Sequence, residues 1–202
     1  MLLHGDGSSR IVNGQTTQIE NHPWQISLRY NGNHICGGSI LSSNSILTAA
    51  HCLGDNPAIY SILAGSSSRT STTVGQIRNA TIDPKEKHKE YNSPPGGYPN
   101  DIAILLLSEE LVLNGDSVKA VSLPGSSFNP DSSNNCVMSG WGRTNRGTGD
   151  SGGPYVCKNG NEDVLTGVTS WGIQSGDKCL TSYPSVYVRV SEFLNWINQH
   201  ME

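Results

Sequence analysis

Short apolar runs broken by turn-forming residues set the pattern of the chain. Gln25–Tyr30 (QISLRY), Ile40–Thr48, Ile102–Leu107 (IAILLL), Cys136–Trp141, Val164–Trp171 and Val186–Val190 predict strands. Clusters such as Asn31-Gly32-Asn33 and Pro94-Pro95-Gly96-Gly97 separate them and offer the backbone angles that turns need. One terminal segment changes period. Over Ser191–Met201, the residues Val190, Phe193, Leu194, Ile197 and Met201 fall on one face of a helix, with Ser191 placed to cap it and Glu192 well sited in its first turn. The Ser/Thr-rich stretch Gly65–Thr73 predicts a surface loop. No solenoid-type repeat is present. Many short strands with one terminal helix predict an all-β sandwich or barrel.

Composition narrows this further. Only 15% of the 202 residues are charged, too few for a disordered polyelectrolyte, and 23 glycines with 10 prolines are too many for a helical bundle. The length suits one domain, or two lobes sharing a core. No apolar run reaches the roughly 18–20 residues of a transmembrane helix. A net charge of −4 argues against nucleic acid or an anionic membrane as partner. Five cysteines predict a secreted, disulfide-bearing chain in which one sulfur lacks an internal partner. Met1–Arg10 (MLLHGDGSSR) has no apolar core of roughly 7–15 residues, so it does not read as a signal peptide. Asn79-Ala80-Thr81 is a glycosylation sequon, meaningful in an exported chain.

Three segments carry candidate chemistry. Gly149-Asp150-Ser151-Gly152-Gly153-Pro154 sets a serine in a tight turn ahead of a strand. Its glycines let a substrate backbone approach and free N–H groups to face an oxyanion; a plain Gly-rich hairpin turn is the alternative. Thr48-Ala49-Ala50-His51-Cys52 places a histidine after a strand, as a catalytic base or as a buried, merely packed group. Asn100-Asp101-Ile102 heads a strongly apolar strand with one carboxylate. Asp101 is either a turn residue or a buried group that needs a partner, for which an imidazole N–H is suited. Together they give His51, Asp101 and Ser151 in chain order. A serine hydroxyl is a poor nucleophile until a base removes its proton. His51 supplies the base and later the acid. Asp101 fixes its tautomer and stabilises its cation, and the N–H groups of Gly149 and Ser151 receive the tetrahedral oxyanion.

This constellation resembles the trypsin/chymotrypsin-like serine peptidases, peptidase family S1. The resemblance covers nearly all of residues 11–202. Arg10-Ile11-Val12-Asn13-Gly14 is similar to a zymogen activation junction, and His22-Pro23-Trp24-Gln25 with Cys36-Gly37-Gly38-Ser39-Ile40 is similar to the family's first strands. Ser139-Gly140-Trp141-Gly142, Ser170-Trp171-Gly172 and Tyr183-Pro184-Ser185-Val186-Tyr187 match later landmarks. The resemblance implies two six-stranded antiparallel barrels and a C-terminal helix. The first barrel would span roughly 24–108, the second about 120–190 and the helix about 191–201, with 1–10 an activation-peptide remnant. It implies an endopeptidase acting through an acyl-enzyme, without cofactor, on protein or peptide substrates. It further implies protein inhibitors as partners, a monomer, and an extracellular setting. Cleavage after Arg10 would free the Ile11 amino group to pair with Asp150 and so order the oxyanion hole. Ser170, Trp171 and Gly172 would pair with substrate backbone, an ordinary core strand being the alternative. The family's disulfides correspond to Cys36–Cys52 and Cys136–Cys157. No C-x-x-C pair suggests a metal site. No acidic residue lies between Asp55 and Asp83, where the family's calcium loop falls, so no calcium is expected.

The chain also departs from the family pattern. His51 and Asp101 are 50 residues apart, close to the usual roughly 45, but Asp101 and Ser151 are also 50 apart where about 93 is usual. Only Arg143–Thr148 joins the Trp141-Gly142 landmark to Gly149, in an interval where the family carries strands of the second barrel and the floor of the specificity pocket. Gly147 stands where a cysteine is usual, which leaves Cys179 without its mate. Ser185 stands where trypsin-like members have glycine and narrows the pocket. A second barrel short of strands is expected to be open or rearranged. Two alternatives to an active peptidase follow: a catalytically impaired homologue that binds partners, or an incomplete, exon-skipped product.

Overall fold

The computed structural model describes residues 2–3, 14–54, 60–81, 87–92, 97–131, 133–142, 149–172, 174–175, 178–179 and 185–201. In chain order the strands are β1 (Leu2–Leu3), β2 (Thr16–Thr17), β3 (Gln25–Tyr30), β4 (Asn33–Ile40), β5 (Ser45–Thr48), β6 (Tyr60–Ala64), β7 (Gln76–Thr81) and β8 (Ala103–Leu107). After them come β9 (Cys136–Met138), β10 (Pro154–Asn159), β11 (Glu162–Trp171), β12 (Gln174–Ser175), β13 (Lys178–Cys179), β14 (Val186–Arg189) and the helix α1 (Leu194–His200). Among the described residues no helix is long and apolar enough to cross a membrane.

Six strands close into a barrel in the order β3-β4-β5-β8-β7-β6, with β6 returning to pair antiparallel with β3. Asn31 and Gly32 both take positive φ, 48° and 76°, and so form the two-residue turn that pairs Tyr30 with Asn33; left-handed angles at both central positions match the twist of a hairpin. Ile26, Leu28, Ile40, Ile46, Leu47, Ile62, Ile104 and Leu105 on its strands are fully buried. Closure leaves this lobe without a free edge.

Among the described residues, the second lobe is a four-stranded antiparallel sheet, in the order β14-β11-β10-β9, that does not close. Val156, Leu165 and Val168 on its strands share one continuous core with the barrel, joined by Val190 and by Ile197 of α1. The Tyr155 and Tyr187 rings stack at 4.8 Å beside Gly167, where a Cβ would crowd the Cβ atoms of both. The chain is thus all-β with one complete barrel, a partial second one and a terminal helix. Along β11, Leu165 and Val168 are covered by the shared core, and Val164 is buried beside them.

Other expectations change in detail. Ile40–Thr48 is the end of β4, a turn and β5, because Leu41 and Ser42 both donate back to the Ser45 carbonyl. Strand β9 stops at Met138, and Trp141 is drawn out of line to pack on Ile19. The helix opens as a 3-10 turn over Val190–Phe193. Ser191 lies inside that turn, so it is not the cap, and its Oγ accepts from Arg189 Nε at 3.1 Å. Ser66 in the Ser/Thr-rich stretch is buried rather than on the surface.

Candidate active site

Strand β5 delivers the histidine. Beyond Thr48 the chain tightens into a 3-10 turn over Ala50–Cys52, and the Cys36–Cys52 disulfide ties that turn to β4. Half-buried His51 then meets a fully buried Asp101. Oδ2 of Asp101 accepts from His51 Nδ1 at 2.7 Å and Oδ1 from the His51 backbone N–H at 2.8 Å. Ser170 Oγ donates to the same Oδ2 at 2.5 Å. Asp101 is aimed by Asn100, which holds φ at 55° while its amide donates to the Glu90 carbonyl; asparagine is among the few residues that tolerate this left-handed region. Burial is the largest influence on the Asp101 carboxyl and pushes it up. The hydrogen bond and charge of His51, with the bonds from Ser170 and the His51 N–H, outweigh it and hold the group below the usual carboxylate range.

The serine turn docks on the barrel. Gly37 N–H donates to the Ser151 carbonyl at 2.8 Å, and Thr48 Oγ1 bonds the Gly37 carbonyl at 2.9 Å. Gly152 has φ of 77°, and a Cβ there would collide with Thr48 Oγ1 and the Gly37 carbonyl, so only glycine lets the turn approach this closely. Behind the turn, Gly152 N–H donates to the Thr169 carbonyl at 2.7 Å and Gly153 N–H to the Asp150 carbonyl at 2.8 Å. Among the described residues, the N–H groups of Gly149 and Ser151 make no backbone hydrogen bond. No hydrogen bond there joins Ser151 Oγ to His51, whose Nε2 lies 3.9 Å from Cys52 Sγ.

Asp150 is half-buried as a residue, but its carboxylate lies inside against Gly140. It accepts from the Gly142 N–H at 2.8 Å and from the Trp141 N–H. Burial dominates and pushes its carboxyl up to about 6, the two N–H groups pulling the other way. Arg10 and Ile11, the expected activation junction, lie outside the described residues, as do Arg143–Thr148.

The remaining expected residues separate. Ser170 is buried on Asp101, Trp171 is half-buried, and Gly172 is exposed with Ser185 Oγ beside it. Cys136 pairs with Cys157, its cross-strand neighbour between β9 and β10. Cys179 has its backbone in β13, while its side chain lies outside the description. Sulfur and imidazole atoms of Cys36, His51 and Cys52 converge, but both thiols are joined in the disulfide. Sequence reasoning missed Tyr98, whose ring stacks on His51 at 5.3 Å and 25°. An aromatic three positions before Asp101 was the available signal.

The family model described as Trypsin matches residues 11–148 and 145–197. The chain is 34% identical to "Fibrinolytic enzyme, isozyme C" of Lumbricus rubellus over 244 aligned positions, covering 94% of this chain and 99% of that protein. It is 32% identical to "Trypsin alpha" of Drosophila melanogaster, covering 93% and 86% respectively. Among solved structures, mouse brain neuropsin, a serine protease, superposes with a TM-score of 0.78 at 27% identity, covering 95% of this chain and all of that one.

Proposed function

Because the chain belongs to the trypsin family of serine peptidases, we propose that it is a serine endopeptidase in which Ser151 is the nucleophile, His51 the general base and acid, and Asp101 the group that orients His51. The observation that carries this reading is the two-point grip of the buried Asp101 carboxylate on His51, with the Ser151 turn seated on the same barrel through Gly37. His51 takes the proton of Ser151 Oγ as the oxygen attacks the scissile carbonyl carbon. The oxyanion that forms is received by the N–H groups of Gly149 and Ser151. His51 then returns the proton to the departing amine, and water attacks the acyl-enzyme by the same route in reverse. Tyr98 on His51 and Trp171 wall the approach, and Ser170–Gly172 offers backbone for an extended peptide. Substrates are proteins or peptides, and the disulfides suit an extracellular setting.

Activation follows from Asp150. An ammonium freed at Ile11 by cleavage after Arg10 is a cation suited to the buried Asp150 carboxylate, whose burial outweighs the N–H groups and the Arg69 charge that favour its ionised form. Acetylation of Ile11 after cleavage should abolish activity; retained activity would remove this step.

A second reading is favoured by one observation, the four-stranded sheet in place of a closed second barrel. An alignment of 244 positions against a chain of 202 residues, and a family match that falls in two stretches, 11–148 and 145–197, support this reading, on which a segment before the serine turn is missing. On this reading the protein is a homologue without turnover. One experiment separates the two. The chain beginning at Ile11 is treated with a serine-directed phosphonate beside Ser151→Ala. Labelling of the first alone supports the peptidase; equal labelling of both, or of neither, refutes it.

A further inference from the structure

Arg29 on β3 is only 3% exposed, yet among the described residues no carboxylate pairs with it. A buried guanidinium without an acidic partner is unusual, since removing the charge from water costs several kcal/mol unless other groups hold it. Here the holders are backbone carbonyls. Nη2 donates to the carbonyl of Arg69 at 2.5 Å and to that of Ser71 at 3.0 Å. The stretch Gly65–Gly75 contains no acidic residue, so this is charge-assisted bonding to neutral acceptors.

The same loop reaches across to the second lobe. Ser67 Oγ accepts the Ile19 N–H at 2.9 Å and donates to Gln18 Oε1 at 3.1 Å. The Ser67 carbonyl accepts the Trp141 indole N–H at 2.7 Å. Trp141 is buried against Ile19 and meets the edge of His34 at 5.6 Å. Its own backbone N–H and that of Gly142 hold the Asp150 carboxylate, and Asp150 precedes Ser151.

We propose that Arg29 is a positioning residue for the serine turn, ordering the 66–71 loop so that Ser67 fixes Trp141, and through it Asp150 and Ser151. The inference rests on the peptidase reading. It identifies a hold on the turn distinct from the Gly37–Ser151 bond. The test measures the coupling between these residues directly.

Arg29→Met removes the cation at similar length, Arg29→Lys retains it, and Trp141→Phe removes only the indole donor. Saturation labelling of Ser151 with a fluorophosphonate gives kinact and KI for each. Arg29→Met and Trp141→Phe should each lower kinact by about 10- to 100-fold with KI within about twofold, the size expected for a small misplacement of a reacting group. Arg29→Lys should recover most of the rate. The double variant should lose little more than the worse single one, because both changes break one connection. Hydrogen exchange at the Gly142 amide should quicken in both single variants. A folded Arg29→Met with wild-type kinact, unchanged Gly142 protection, or fully additive losses in the double variant would overturn the proposal. Should Arg29→Met fail to fold, Trp141→Phe decides by the same readings. All variants begin at Ile11; if the parent chain beginning at Ile11 is not labelled at all, it is the peptidase reading that fails, and the exchange at Gly142 still decides the role of Arg29.

Discussion

Asp150 carries the sharpest prediction, because burial makes its ionised form costly despite the nearby Arg69 charge. Burial raises its carboxyl from 3.8 to about 6, which corresponds to a penalty of about 3 kcal/mol on the folded chain once the group is ionised at neutral pH. A carboxyl whose folded value lies above its unfolded value stabilises the fold in its protonated form. That contribution is complete below 3.8 and is lost as pH rises through about 6. The perturbation is Asp150→Asn, compared with Asp150 in a background where Arg10→Gln keeps the Arg10–Ile11 bond intact. Urea unfolding from pH 4 to 8 supplies the stabilities. Their difference is the useful quantity, because it cancels buried His22 and His34. Burial holds both imidazoles down to about 4, so their contribution changes with the opposite sign as pH falls. The advantage of Asp150→Asn should grow from near zero at pH 4 to about 3 kcal/mol above pH 7. With Arg10 restored and the bond cleaved, the Ile11 ammonium should reverse that advantage. A difference that stays flat across the range, or that is the same before and after cleavage, would refute the argument.

Four further outcomes follow. Gly152→Ala has neither the backbone freedom nor the space for its methyl group, and should abolish phosphonate labelling of Ser151 while far-ultraviolet circular dichroism is kept. Ser170→Ala takes one of three donors from the Asp101 carboxylate and should slow labelling by about 10-fold, the loss of one charge-assisted hydrogen bond. Stripping calcium with a chelator should leave the thermal midpoint unchanged, since the Gly65–Gly75 loop has no carboxylate to hold the ion. Asn79 is exposed on β7, so the chain secreted from insect cells should carry a glycan there, read as a gel shift on deglycosylation that Asn79→Gln removes.

What could be read from the sequence was what local pattern encodes. The Asn31-Gly32 turn, the runs that became β3, β8 and β11, and the serine turn are each written in contiguous residues. So is the pairing logic of His51 with Asp101, because a lone carboxylate heading an apolar strand has few other uses. Strands β6 and β7 were missed. Tyr60–Ala64 is a short run amid loops, and Gln76–Thr81 is half polar and exposed at Ile77 and Asn79. Ser170 was read as a substrate-strand residue; its bond to Asp101 spans 69 positions and leaves no local trace. Arg29 is subtler still, since an arginine on an alternating strand ordinarily points to water. Its burial depends on carbonyls 40 and 42 positions away.

The continuity of the core has a consequence for how the chain folds. Val156, Leu165 and Val168 bury their side chains in the same cluster as Ile26 and Leu105 of the barrel, so the partial sheet has no interior of its own to condense around. The barrel, whose six strands satisfy one another, is the template, and the sheet assembles on its outside as a dependent layer. A fragment carrying β9 to β14 alone should therefore collapse without cooperative melting, whereas the whole chain should lose both lobes in one transition.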